Sequence, residues 1–210
     1  MPGNTACAVG ALYADSLKRY GPRPMAVGWK TRAAQRLRFD KLVSVVTASA
    51  GHGISVNDLG CGYGAMFDYL AGRRTPPLRR YAGYDISEDM LVEARRRIDD
   101  PRASFATGAR ATRAAHYSFV SGTFNVKLDA SDAEWTEYVK ATLLQLSTTS
   151  TRGFAFNMLT TYVTFKRPEL YYADPFLFFD FCKRNIAPYV CLLHDYPLYE
   201  WTITVRTDRR

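Results

Sequence analysis

The chain has 210 residues, of which 47% are hydrophobic, 14% aromatic and 23% charged, a composition that excludes a disordered or fibrous polypeptide and allows a sizeable core. Its length, between one and two usual domains of about 150 residues, favours one domain with an elaboration. The net charge of +8 raises the question of nucleic acid, but the arginines are dispersed: Arg95, Arg96 and Arg97 close a predicted helix, where cations suit the dipole, and Arg73, Arg74, Arg79 and Arg80 flank a proline turn.

In chain order, Ala33 to Ala48 places Leu37, Val43 or Val45, and Val46 at helical spacing, and Gly51 to Gly53 ends the helix. Ile54 to Leu59 is a short apolar strand, and Ala65 to Ala71 a helix. Thr75-Pro76-Pro77 breaks the chain before a second strand at Tyr81 to Tyr84. Ser87 caps the next helix, with Glu88 and Asp89 in its first turn ahead of Met90, Leu91 and Ala94. Strands follow at Ala103 to Thr107, Tyr117 to Ser121 and Gly153 to Met158, with helices at Asp132 to Leu146 and Asp174 to Asn185. Tyr189 to His194 and Glu200 to Arg206, joined by Asp195-Tyr196-Pro197-Leu198-Tyr199, read as an antiparallel hairpin. The alternation predicts an α/β fold: a mostly parallel seven-stranded sheet ending in that hairpin, with helices on both faces.

Cys7, Cys61, Cys182 and Cys191 form no CxxC pair, and His52, His116 and His194 are too scattered for a metal motif, so free thiols, a reducing cytoplasm and no metal are expected. Ala6 to Ala14 is mildly apolar but has no Lys or Arg before it, which reads as a helix start rather than a secretory signal. No apolar run approaches the roughly 20 residues that span a bilayer, since even Pro175 to Phe181 is broken by Asp180. Oligomeric state is left open.

The chemistry turns on Val56-Asn57-Asp58-Leu59-Gly60-Cys61-Gly62-Tyr63-Gly64, which follows a strand and opens a helix, the context that gives a glycine pattern meaning. Asp85 ends the next strand, 21 positions after Gly64, near the roughly 20-residue offset at which a carboxylate meets ribose hydroxyls. Together they predict an adenosine-bearing ligand. The glycines are spaced G-x-G-x-G, not the G-x-G-x-x-G of a dinucleotide fingerprint. Asp58, two residues before Gly60, would repel a pyrophosphate but accept hydrogen bonds from a methionine-type ammonium group. A sulfonium cofactor fits better than NAD.

The loop, Tyr81 to Ser87 and Met90 to Arg97 resemble motifs one and two of class I S-adenosylmethionine-dependent methyltransferases. Tyr20-Gly21, Gly28-Trp29, Gln35, Arg38-Phe39 and Ser121 to Lys127 are further similar to a bacterial methyltransferase family of unassigned substrate, so that the likeness runs from about Tyr13 to Arg206. It implies a Rossmann-like core over 51–210 behind a helical lid segment over 1–50. It also implies S-adenosylmethionine as cofactor and S-adenosylhomocysteine as product. In that likeness Gly60 and Gly62, flanking Cys61, contact the amino-acid part of the cofactor. Asp85 takes the ribose, Ile86 faces adenine, and Ser121 and Gly122 lie beneath the sulfonium. Where the family often carries an acidic residue for the adenine amino group this chain has Gly108-Ala109, and His116 stands where an acidic residue commonly precedes the fourth strand.

Gln35 and Arg38 share a helix face that could reach the cofactor carboxylate or a substrate anion, or simply form a surface pair. Tyr13, Tyr20 and Trp29 could close a lid whose rings attract a sulfonium, or pack the N-terminal segment. Methyl transfer needs alignment and desolvation more than an obligatory base. A small-molecule acceptor with a methylated oxygen or nitrogen is expected at the carboxyl ends of the strands, near Phe124, Asn125, Asn157, Thr160 and Tyr162, with Asn125 orienting it or capping a turn. Tyr171 and its aromatic neighbours wall a pocket or fill core, and His194 with Asp195 offers a base and its orienter. An RNA methyltransferase and a non-catalytic cofactor-binding module are the alternatives, with nucleic acid disfavoured as a partner and no membrane association expected.

Overall fold

Central strands buried at nearly every position need cover on both faces, and a computed structural model, which describes residues 3–47, 53–74 and 76–207, shows how they obtain it. β1 (Ile54–Leu59), β2 (Leu78–Asp85), β3 (Ala103–Thr107), β4 (Ala115–Ser121) and β5 (Ser150–Thr160) run parallel. β6 is a two-residue strand, Tyr172–Ala173, that the sequence reading missed. β7 (Tyr189–Leu193) and β8 (Glu200–Arg206) form the hairpin, and β8 lies antiparallel to β5. The strand order is β3-β2-β1-β4-β5-β8-β7. β6 pairs with Leu159 and Thr160, beyond Asn157 where β4 ends, and so prolongs the β4 side of the sheet at its carboxyl edge.

The helices are α1 (Gly3–Tyr20), α2 (Arg32–Val43), α3 (Ala65–Ala71), α4 (Glu88–Arg97), α5 (Asp132–Thr149) and α6 (Pro175–Asn185), with a short 3-10 turn at Pro24–Val27. Alternation along each strand sends one set of side chains to α2 and α3, where Phe39, Leu42, Met66, Phe67, Tyr81, Tyr117 and Phe119 form one cluster. The other set meets α5 and α6 in a cluster that includes Phe124, Trp135, Phe154, Phe156, Phe178 and Trp201. Both faces are therefore covered.

Several boundaries differ from expectation, with β2, β4, β5 and α5 each running longer, and two of the differences have readable reasons. α2 stops at Val43 rather than Ala48, because the run Ser44-Val45-Val46-Thr47 is poor in helix formers and Val45 is drawn into the core. Of the expected helix end, Ala48, Gly51 and His52 lie outside the described residues. His116 lies within β4 rather than before it, accepting the Ser55 N–H at 3.1 Å on its Nδ1. Ser87, Ser131 and Asp174 cap α4, α5 and α6 through their side-chain oxygens.

Trp201 is the hub of the larger cluster. It is fully buried, packs edge-on to Phe156 at 5.7 Å and beside Phe178 at 5.9 Å, and donates its indole N–H to the Ala173 carbonyl at 3.0 Å. That last bond anchors β6. Trp201→Ala is expected to cost about 3–5 kcal/mol, read as a lowered urea midpoint, because the indole volume cannot be refilled and Ala173 loses its donor.

Candidate functional site

Most residues singled out for the cofactor converge on the carboxyl ends of the parallel strands. β1 passes into α3 through Gly60 and Gly62 in the left-handed region (φ 75° and 51°), and the N–H groups of Gly60 and Cys61 both donate to the Tyr84 carbonyl at 2.8 and 3.0 Å. A side chain at Gly60 would overlap the Thr123 hydroxyl, so the loop lies flush against the end of β4. Asp85 ties this loop to the next element: one carboxylate oxygen accepts the Gly62 N–H at 2.8 Å and the other the Ser87 N–H at 2.9 Å. Arg97 of α4 reaches back to the Tyr63 carbonyl at 2.8 Å and pairs with Asp68 of α3 at 2.9 Å.

Two adjoining cavities result, sharing Val27, Gly60 and Ser121. The first, about 640 Å³, is walled by Asp85, Ile86 and Met90 on one side, by Gly108 and Ala109 beyond β3, and by Leu59, Gly122, Thr123 and Tyr138. Val9 and Tyr13 of α1 close it. The second, about 330 Å³, is walled by Asp58, Cys61, Gln35, Phe39, Tyr63 and Trp29. At the junction the Ser121 hydroxyl is buried with no hydrogen-bond partner; among the described residues only Gln145 Oε1 shares that condition. A buried orphan of this kind implies a missing partner.

Burial dominates the electrostatics. The Asp58 carboxyl is pushed up to about 7 by burial, with the Asp85 charge adding and a hydrogen bond from the Tyr81 hydroxyl opposing. Asp85 is raised by burial too, against the backbone N–H donors that favour its ionised form. Burial and Asp85 push the Tyr13 phenol to about 12 and hold the Cys61 thiol neutral. All four cysteines are free.

Asp58, Gly60, Cys61, Gly62, Asp85, Ile86, Ala109, Ser121, Gly122 and Trp29 thus line one cavity or the other. Arg38 does not, a correction to the sequence reading. Its guanidinium donates from Nε and Nη2 to the two oxygens of Glu200, both at 2.7 Å, and from Nη1 to the Ala34 carbonyl at 2.8 Å, leaving little for a ligand carboxylate. Gln35, one turn earlier, lines the second cavity with its amide on the Tyr63 hydroxyl at 3.2 Å.

The acceptor residues divide as well. Asn125 is buried; its carbonyl oxygen accepts the Leu159 N–H at 3.1 Å, and its amide nitrogen is turned toward Gly122. Asn157 is consumed internally, accepting the Gly122 N–H at 2.7 Å and donating to Glu200 at 3.1 Å. Phe124 and Tyr171 are not pocket walls: Phe124 is fully buried between Tyr138 and Phe156, and Tyr171 packs on Phe178 with its hydroxyl on Thr136. Thr160 is buried. Tyr162 is 63% exposed, its ring 5.8 Å from that of His194. Asp195 pairs with Lys41 at 2.7 Å rather than orienting His194. Tyr20 packs beside Ala26, Tyr63 and Met90.

Sequence reasoning missed Val9, Met90, Thr123 and Tyr138 as cavity walls and Glu200 as the partner of Arg38. The only signal for Glu200 was a carboxylate opening an apolar strand, and nothing in a linear reading joins positions 162 residues apart.

Comparison with known proteins agrees with this geometry. A family model described as a methyltransferase domain matches residues 56–148. The protein Rv1506c of Mycobacterium tuberculosis (strain ATCC 25618 / H37Rv), assigned by name to the methyltransferases, is 48% identical over 161 residues, covering 75% of this chain and 96% of its own length. Among solved structures, magnesium protoporphyrin IX methyltransferase (ChlM) from Synechocystis PCC 6803 with bound SAH matches with a TM-score of 0.68 at 18% identity over 96% of this chain and 99% of that one. The DhpI–SAH complex matches with a TM-score of 0.65 at 13% identity over 100% of both chains. At those identities the solved structures establish the fold, and Rv1506c establishes the kinship. The chain belongs to the class I S-adenosylmethionine-dependent methyltransferases.

Proposed function

We propose that the paired cavities hold S-adenosylmethionine and that the chain methylates an oxygen or nitrogen of a small-molecule acceptor, releasing S-adenosylhomocysteine. The observation that carries this reading is the unpartnered Ser121 hydroxyl at the point where the two cavities meet. A donor with a nucleoside at one end and a zwitterionic tail at the other has its cationic centre between them, where a hydroxyl oxygen without a partner offers an acceptor surface. The donor brings a methyl group on positively charged sulfur, transferred by direct displacement.

The chain's own residues bind and align. Each Asp85 oxygen spends one interaction on a backbone N–H and keeps capacity for a ribose hydroxyl. Ile86 and Met90 offer apolar surface to a base, and Gly108 and Ala109 offer backbone groups in place of an acidic side chain. Asp58 and Gln35 suit the zwitterionic tail. α1, with Val9 and Tyr13, acts as a lid over the nucleoside cavity and excludes water. The Asn125 amide, aimed past Gly122, orients the acceptor, and exposed Tyr162 forms a rim at the same end of the sheet. Among the described residues no helix is long and apolar enough to cross a membrane.

Calorimetry should detect binding of S-adenosylmethionine and S-adenosylhomocysteine and none of NAD, and Asp85→Ala should lose roughly 1–3 kcal/mol of binding. A diphosphate ligand preferred in these cavities would refute the reading. Asp58 sets a pH signature. Free protein carries it neutral below about pH 7, whereas an ammonium group requires it ionised, so affinity for the donor should climb as pH rises toward 7 and level off above. Because its folded pKa exceeds the unfolded value near 3.8, the stability it contributes is fully present below about pH 4 and is lost as pH rises through about 7. Asp58→Asn should flatten both profiles.

A further inference from the structure

Glu200 opens β8 at the carboxyl edge of the sheet, opposite Leu159, and is 1% exposed. Three donors hold its carboxylate: Arg38 Nε and Nη2 at 2.7 Å each, and Asn157 Nδ2 at 3.1 Å. A side-chain amide has one donating and one accepting end, so a carboxylate that binds the Nδ2 end dictates which way the carbonyl end faces. In Asn157 it faces Gly122, whose N–H it accepts at 2.7 Å. The same peptide is clamped from the other side. Trp29 lies over Gly122 so closely that a Cβ there would overlap the indole, and the Arg38 guanidinium stacks on that indole 3.8 Å from its centre.

The contacts close a circuit, Glu200 to Asn157 to Gly122 to Trp29 to Arg38 and back to Glu200, built from four distant stretches of chain. A buried ion pair adds little stability over an apolar pair of like volume, so stability alone is a weak reason for charges here. What the circuit encloses is the Ser121–Gly122 peptide, the floor of the junction between the two cavities.

We infer that Glu200 is a positioning residue for the methyl donor: by setting the orientation of Asn157 it holds the Ser121–Gly122 floor against the donor's sulfonium, while Arg38 and Trp29 brace that floor from the N-terminal side. The inference rests on the reading of the cavities as an S-adenosylmethionine site. A floor of hydroxyl and peptide oxygen attracts the cationic donor and not the neutral thioether product, so displacing it weakens the donor selectively.

The test uses the full chain, calorimetry with S-adenosylmethionine and with S-adenosylhomocysteine, and the amide resonance of Gly122. Glu200→Met removes the acceptor that fixes the Nδ2 end of Asn157 and frees that amide to turn. It should shift the Gly122 resonance and weaken the donor about tenfold, with a smaller loss for the product. The double variant Arg38→Met/Glu200→Met removes both charges and guards against a single variant that fails to fold. It should regain thermal stability yet keep the reduced donor-to-product affinity ratio. A double variant with the wild-type Gly122 resonance and the wild-type ratio would show the circuit to be structural only. Wild-type protein that binds neither compound would instead remove the cavity reading, and this inference with it.

Discussion

The carboxylate of Asp85 is the constraint on which the site depends. It is buried, it ends β2, and it takes the N–H groups of Gly62 and Ser87, so that one side chain fixes the glycine loop and the start of α4 together. A carboxylate held by charge-assisted bonds from backbone donors resists displacement. Its charge is then felt by every titratable neighbour: Asp58, Cys61 and Tyr13 are each pushed further toward their neutral forms by it. Two buried carboxyls so near one another share the cost of ionisation unequally, and the one with backbone donors keeps the charge.

That inequality suits a ligand which is itself divided. A nucleoside with hydroxyl groups needs an acceptor, the role proposed above for Asp85. A cationic tail needs a carboxyl that ionises when the cation arrives, and Asp58, with its raised pKa, is of that kind. Ser121, between them, keeps a hydroxyl with no internal partner. These groups are costly to bury in the free protein, and the cost is borne where a ligand would remove it.

Around this centre the fold separates rigid parts from applied ones. The glycine loop, the ends of β4 and β5, and the Glu200 circuit are locked by short backbone and side-chain bonds. α1 is applied from outside: it packs on the Pro24–Val27 turn and on α4 rather than on the sheet, and presents Val9 and Tyr13 to the first cavity. Its Tyr13, Leu17 and Tyr20 pack on the small cluster of Ala26, Tyr63 and Met90, apart from the two clusters that cover the sheet.

The linear sequence determined most elements and the glycine-loop wall of the cavities, because both follow from short-range rules. Apolar runs of strand length, caps such as Ser87, and glycines where only positive φ will do are local features, and β1, α3, β3 and β8 begin and end where those features place them. Asp58, Gly60, Gly62 and Asp85 were legible for the same reason. Tertiary structure decided what long-range pairing controls. Helical spacing offers Arg38 an anion or a surface partner, and the fold gives it Glu200, 162 residues away. Phe124 and Tyr171, expected near an acceptor or in the core, lie where α5 and α6 close over them, and Asn157 is taken up by Gly122 and Glu200, pairings that no periodicity reveals. A buried charge must find a partner and an aromatic ring must find cover, yet which partner and which cover are properties of the folded sheet.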